Sequence, residues 1–178
     1  RDQDMIIKKM HLNVKLYLAK LGKAGLDEAL SSRSMELASI SSSLDSASDA
    51  ITRVMLDLAQ RLDSQKLKFS AQGREEIRDF TDRVQSNVQL ALNVMMNQNP
   101  AEARELVAAK ETVRQVEQKL QRNHIGRLRE GMSESIDTSN IHQETLRALK
   151  QINTAFSMVG YPILLKSGDL LESRLANT

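Results

Sequence analysis

Asp45 and Asp49 lie in the stretch from residue 39 to 51, Ser-Ile-Ser-Ser-Ser-Leu-Asp-Ser-Ala-Ser-Asp-Ala-Ile, and on a helix their spacing puts both carboxylates on one face, a turn apart. An exposed helix face ordinarily carries Lys, Glu and Arg, because serine competes for the backbone, yet here six serines surround the aspartates and the stretch holds no cation. Two carboxylates at this spacing repel by roughly a few tenths of a kcal/mol in an isolated helix, so something must compensate. Hard cations take such oxygen pairs, and carboxylates on facing helices build di-iron and di-manganese centres, which makes Asp45 and Asp49 candidate metal ligands. The alternative is that the small serines admit a neighbouring helix or protomer at close range while water solvates the aspartates.

Other chemistry is sparse. Glu75 and Asp79 repeat the spacing but lie among Arg74, Arg78 and Arg83, where salt bridging on a solvated face accounts for them. His11, His124 and His142 fall in no His-x-x-x-His pattern. His142 lies on an apolar seam and reads as a buried or capping imidazole, whereas His11 and His124 each sit one position off theirs and read as flanking residues. The glycines are scattered singly, so no phosphate loop is present, and with no cysteine there is no thiolate zinc site and no thiol nucleophile. The chain is therefore not expected to be an enzyme. Its 25 Lys and Arg against 23 Asp and Glu are interspersed, so no broad polyanion surface and no nucleic-acid partner are expected.

The elements that must position these residues are helices. Three Phe, two Tyr, no Trp, seven Gly and two Pro among 178 residues argue against sandwiches, barrels and α/β folds. Ile7, Met10, Val14, Tyr17 and Leu21 mark a first helix over residues 4–22, closed by Gly22 and Gly25. From Leu26 a second seam runs through Leu37, Ile40, Leu44, Ala47, Ile51, Val54 and Leu58 to Leu62, a rod of about 50 Å. A third helix carries Phe69, Ile77, Phe80, Val84, Val88, Ala91 and Met95. Asn99 caps a fourth that opens on Pro100, carries Leu106, Val113, Val116, Leu120 and Leu128, and stops at Gly131. Residues 133–140 read as a polar linker, and a fifth helix runs through Leu149, Ile152, Phe156 and Val159 to a break at Gly160-Tyr161-Pro162. The expectation is an all-α bundle of five long helices. It divides into the last two helices of one three-helix unit (1–65), a complete second unit (66–165) and a tail (166–178). No run is long and apolar enough to span a bilayer, so direct membrane insertion is not expected, and a chain that opens at Arg1 inside a helical pattern is expected to be part of a longer polypeptide.

These residues carry a resemblance. Leu37 to Leu58, centred on Leu44-Asp45-Ser46-Ala47-Ser48-Asp49, resembles the last helix of a PhoU repeat, with its Leu-Glu-Arg-Ile-Gly-Asp signature. More specific is the run from Arg127 to His142, followed by Leu146 to Asn153 and Tyr161-Pro162, which looks like the PhoU-like domain that follows the membrane part of bacterial sodium-dependent phosphate cotransporters; Tyr17-Leu-Ala-Lys-Leu21 and His11 look like that subfamily too. The similarity covers roughly residues 3–165. It implies a PhoU-like antiparallel helix bundle at the cytoplasmic face of the inner membrane, acting as a regulatory or assembly module of a sodium/phosphate symporter. Its partner would be the transmembrane portion of the same polypeptide, with self-association left open. It also implies iron or zinc at Asp45 and Asp49, with Asp in place of the usual Glu and Ser48 in place of Gly. In the second unit the matching positions are Lys150 and Thr154, so that copy carries no carboxylates. Two alternatives stand beside this reading: a free-standing PhoU-like metal-binding regulator of phosphate uptake, and a generic helical scaffold packing through its serine face.

Overall fold

The computed structural model describes residues 2–23, 25 and 27–168. Leu26, where the second seam restarts, and residues 169–178 of the tail lie outside the described residues. Among the described residues the fold is all-α: α1 (Asp2–Lys23), α2 (Glu28–Asp49), a π-helical turn (Ala50–Met55), α3 (Leu56–Ser64), α4 (Ala71–Asn97), α5 (Pro100–Arg129), α6 (Ser133–Asp137), α7 (Ser139–Ser157) and α8 (Gly160–Ser167).

Local chemistry accounts for most of the boundaries. Gly25 takes φ +75°, which reverses the chain after α1, and the Asp27 carboxylate accepts from the Leu30 N–H to start α2. Ser70 caps α4 through the Gly73 N–H. Asn99 accepts from the N–H groups of Ala101 and Glu102 at 2.8 and 3.4 Å with Pro100 in the first turn, as expected. Gly131, at φ +71°, ends the approach to α6. Phe69 precedes α4 instead of lying within it. The stretch 133–140, expected as a linker, is instead the short helix α6 and the start of α7, because Ser, Thr and Asn suit helix starts as well as loops.

The second rod runs from α2 through α3, but its seam is interrupted. The π turn inserts an extra residue, which rotates everything beyond it and strands Ile51 on the solvent side while Ala50 takes the buried position. Ala50 then joins Phe80, Val84, Val113, Leu120, Leu146, Leu149 and Ile152 in one core cluster, and Ala91, Val94, Ala103, Leu106, Val159, Ile163 and Leu164 form a second. Each fully buried Leu or Phe contributes about 1.5–3 kcal/mol over leaving it exposed. The helices α4, α5 and α7 thus form a three-helix core, with the rod packed on α7 and α8 packed on α5.

The first helix departs most from expectation. It packs on α2 through Asp4, Lys8 and His11, while its apolar seam faces outward, with Met10 at 61% and Tyr17 at 63% exposure and Ile7 and Val14 also exposed. Periodicity located an apolar face correctly but does not say which face a neighbouring helix takes.

Candidate functional site

The acidic stretch meets α1. Asp45 and Asp49 face this helix from α2, and the cation missing from their own stretch is Lys8: its Nζ lies 2.6 Å from Asp49 Oδ1, 3.6 Å from Asp45 Oδ1 and 3.9 Å from Asp4 Oδ1. From the following turn Arg53 Nε reaches Asp49 Oδ1 at 3.0 Å. The hydrogen bond from Lys8 holds the Asp49 carboxyl below its usual range, and the same bond, with the charges of Asp45 and Asp49 adding to it, raises the lysine.

The serines line this contact. The buried Ser48 hydroxyl donates to Asp4 Oδ1 at 3.0 Å and Ser41 Oγ lies 2.8 Å from His11 Nδ1, whereas Ser46 Oγ turns to α7 and accepts from Gln151 Nε2 at 3.2 Å. Longer side chains at 41 or 48 would hold α1 away and break the lysine's reach. Among the described residues no group of three His, Cys, Asp or Glu is placed to hold a metal ion. As folded, these oxygens fit an ammonium from the chain itself.

A second polar group lies inside the core. Glu76 projects from α4, Asn123, His124 and Arg127 from α5, and His142 from α7. Arg127 Nη2 lies 2.9 Å from Glu76 Oε2, an ion pair off the hydrogen-bond axis, and Asn123 Nδ2 donates to Glu76 Oε1 at 2.8 Å. The two imidazoles stack with centroids 4.6 Å apart and planes at 11°, and Phe69 meets His142 edge-on. His124 and His142 are each 1% exposed and Arg127 is 3% exposed. Gly73 lets the first turn of α4 close over the group, since a Cβ there would sit 3.1 Å from Ser70 Oγ and 3.5 Å from His142 Cδ2.

Burial pushes His142 down to about 4, with the charges of His124 and Arg127 acting in the same direction and Glu76 opposing them. His124 is lowered too, by burial first and Arg127 second. Both rings are neutral at pH 7. With so little exposure the group cannot receive a substrate; what it can do is respond to protons.

His142 is buried as its seam position predicts, but His124 is not a flanking residue. The α5 seam runs Val113, Glu117, Leu120, His124, Arg127, at spacings of 4, 3, 4 and 3, and its polar members are the ones a search for apolar periodicity skips. His11 is half-buried against α2. Lys150 and Thr154 face a groove with α5 and α8. Glu75 pairs with Arg78 on the surface, as expected, and Arg78 also reaches Asp79.

No helix among the described residues is long and apolar enough to cross a membrane. No protein-family model matches the chain, and no solved structure matches it. Curated relatives do. A Salmonella typhimurium LT2 protein named "Putative inorganic phosphate export protein YjbB" is 31% identical over 155 residues, which is 87% of this chain and 28% of that protein. The Escherichia coli K12 protein of the same name is 30% identical over 158 residues, 89% of this chain and 29% of its own length. The chain spans less than a third of the curated relatives it matches. Over nearly nine tenths of its length, then, it is similar to one part of proteins named for phosphate export.

Proposed function

We propose that this chain is a PhoU-like regulatory or assembly module of a sodium-dependent phosphate transporter, held at the cytoplasmic face of the inner membrane and outside the translocation path. The observation that carries this reading is the similarity, along most of the chain, to part of much longer proteins named for inorganic phosphate export. The exposed apolar seam of α1, with Met10 and Tyr17 at its centre, supports it, because such a face suits packing against further helices of the same polypeptide. Charge at Lys8, Asp45 and Asp49 then serves to fix α1 on α2 and so to aim that seam.

An antibody raised against this chain, applied to fractionated native cells, tests the proposal. The expected result is a membrane-bound polypeptide well above 20.0 kDa. A band near that mass confined to the soluble fraction would remove the transporter reading. Within the full polypeptide, Met10→Glu is expected to cut cross-linking between this module and the membrane portion several-fold while leaving helix content unchanged.

A second reading, a metal-binding regulator of phosphate uptake, is favoured by the reach of both Asp45 and Asp49 to one cation, Lys8 Nζ, at 3.6 and 2.6 Å. Iron or zinc at Asp45 and Asp49 would have to displace the Lys8 ammonium. Lys8→Ala is therefore expected to raise zinc or ferrous affinity at least tenfold, and the added change Asp49→Asn to abolish the gain, as measured by titration calorimetry of chelator-treated protein. Equal, undetectable binding in the chain and in Lys8→Ala would dismiss this reading.

A further inference from the structure

The groove between α5, α7 and α8 encloses about 550 Å³ and is lined by Val107, Lys110, Glu111, Arg114, Lys150, Thr154 and Tyr161. That volume lies in the usual range for a small-molecule site. Its polar groups converge from three helices. Lys110 Nζ donates to Tyr161 Oη at 3.3 Å and lies 5.3 Å from the centroid of the same ring. Lys150 Nζ reaches the buried Glu117 Oε2 at 3.1 Å, which anchors the ammonium at the groove wall and leaves it further donors. One turn on from Lys150, Thr154 adds a hydroxyl. Arg114 is held in a two-point fork by Glu111, at 2.8 and 2.6 Å.

The shape of the groove follows from Gly160. A Cβ there would stand 3.0 Å from Val107 Cγ2 and 3.1 Å from the Ala103 carbonyl, so only glycine lets the start of α8 lie against α5 and bring Tyr161 over Lys110. Three cations, counted against Glu111 and Glu117, leave a net positive charge beside two hydroxyl donors and an aromatic face.

We propose that this groove binds a phosphomonoester. The phosphate group takes the ammonium groups of Lys110 and Lys150 and the hydroxyls of Thr154 and Tyr161, Arg114 adds a planar fork when it leaves Glu111, and the organic body rests on Val107 and the Tyr161 ring. The inference stands on the groove alone and is independent of the transporter reading.

Adenosine monophosphate, inorganic phosphate and adenosine, each titrated against the chain by calorimetry, test it. Adenosine monophosphate is expected to bind, and Lys110→Ala and Arg114→Ala each to weaken it about tenfold. Glu111→Gln, which frees the Arg114 fork, is expected to tighten it several-fold. Lys150→Met leaves the buried Glu117 carboxylate with the hydrogen bond from Gln121 and no counter-charge, so its weakened binding is read on protein whose melting curve is unchanged. Inorganic phosphate binding more weakly than the nucleotide supports a role for the apolar wall; equal binding of the two supports a site whose determinant is the phosphate group. Adenosine binding as tightly as the nucleotide overturns the proposal. So does nucleotide binding that ignores both Lys110→Ala and Arg114→Ala, or no nucleotide binding at millimolar concentration by natively folded chain.

Discussion

Glu76→Ala is expected to destabilise the chain by about 3–5 kcal/mol, among the largest effects of any single substitution in it. The reason lies in what the change leaves behind. Arg127 is almost wholly buried, and Glu76 Oε2, at 2.9 Å, is the counter-charge to its guanidinium. Arg127 Nε and Nη1 are already buried without a hydrogen-bond partner, so loss of the carboxylate leaves a guanidinium in the core with no compensation, and Asn123 Nδ2 loses its acceptor as well. Urea unfolding should show a lower midpoint at unchanged slope, and thermal unfolding a drop of roughly 6–20 °C for a domain of this size. Glu111→Gln, which breaks a closer but exposed pair with Arg114, is expected to leave the urea midpoint nearly unchanged. If the two variants lose the same stability, the buried group carries no special weight.

Acid should act through the same group. Because the fold pushes His142 from 6.5 down to about 4, the unfolded chain binds a proton between those values that the folded chain refuses. Stability therefore falls as pH drops through that window: the contribution is fully present above pH 6.5 and fully lost below about 4. The depression corresponds to roughly 3 kcal/mol, and the lowering of His124 acts in the same direction. The groups that face His142 are His124, Arg127 and Glu76, so a proton on either ring would sit against Arg127 with only Glu76 to offset it. Equilibrium unfolding at pH 7, 5.5 and 4.5 measures the decline, and His142→Gln is expected to flatten most of it. A variant that keeps the full slope would assign the acid sensitivity to other residues.

The two polar groups differ in kind. Lys8, Asp45 and Asp49 remain partly open to water, so salt should weaken their mutual attraction, whereas the Glu76–Arg127 pair is enclosed by Phe69, Gly73 and the stacked imidazoles and is screened little. The first group therefore suits adjustment by its surroundings. The second locks α4, α5 and α7 together.

Much of this was legible in the sequence because it is local. The five long helical stretches, the Asn99–Pro100 start of α5 and the stop at Gly131 follow from 3.6-residue periodicity and from the backbone preferences of Asn, Pro and Gly, whereas the break expected at Gly160-Tyr161-Pro162 falls at Met158 and Val159, and those three residues open α8 because proline is tolerated in a first helical turn. The question posed by Asp45 and Asp49, two carboxylates without a cation, was also visible, because like charges one turn apart repel in any helix. Its answer was not. Lys8 lies 41 residues away from Asp49, and nothing in either segment specifies that α1 turns its Asp4–Lys8–His11 edge inward and its apolar seam outward. That choice depends on which faces of both helices compete for burial, as do the exposure of Ile51 within the π turn and the joining of Glu76, Arg127 and the two histidines from three helices. Periodicity reports the faces a helix has; only packing among helices decides which face is covered and by what.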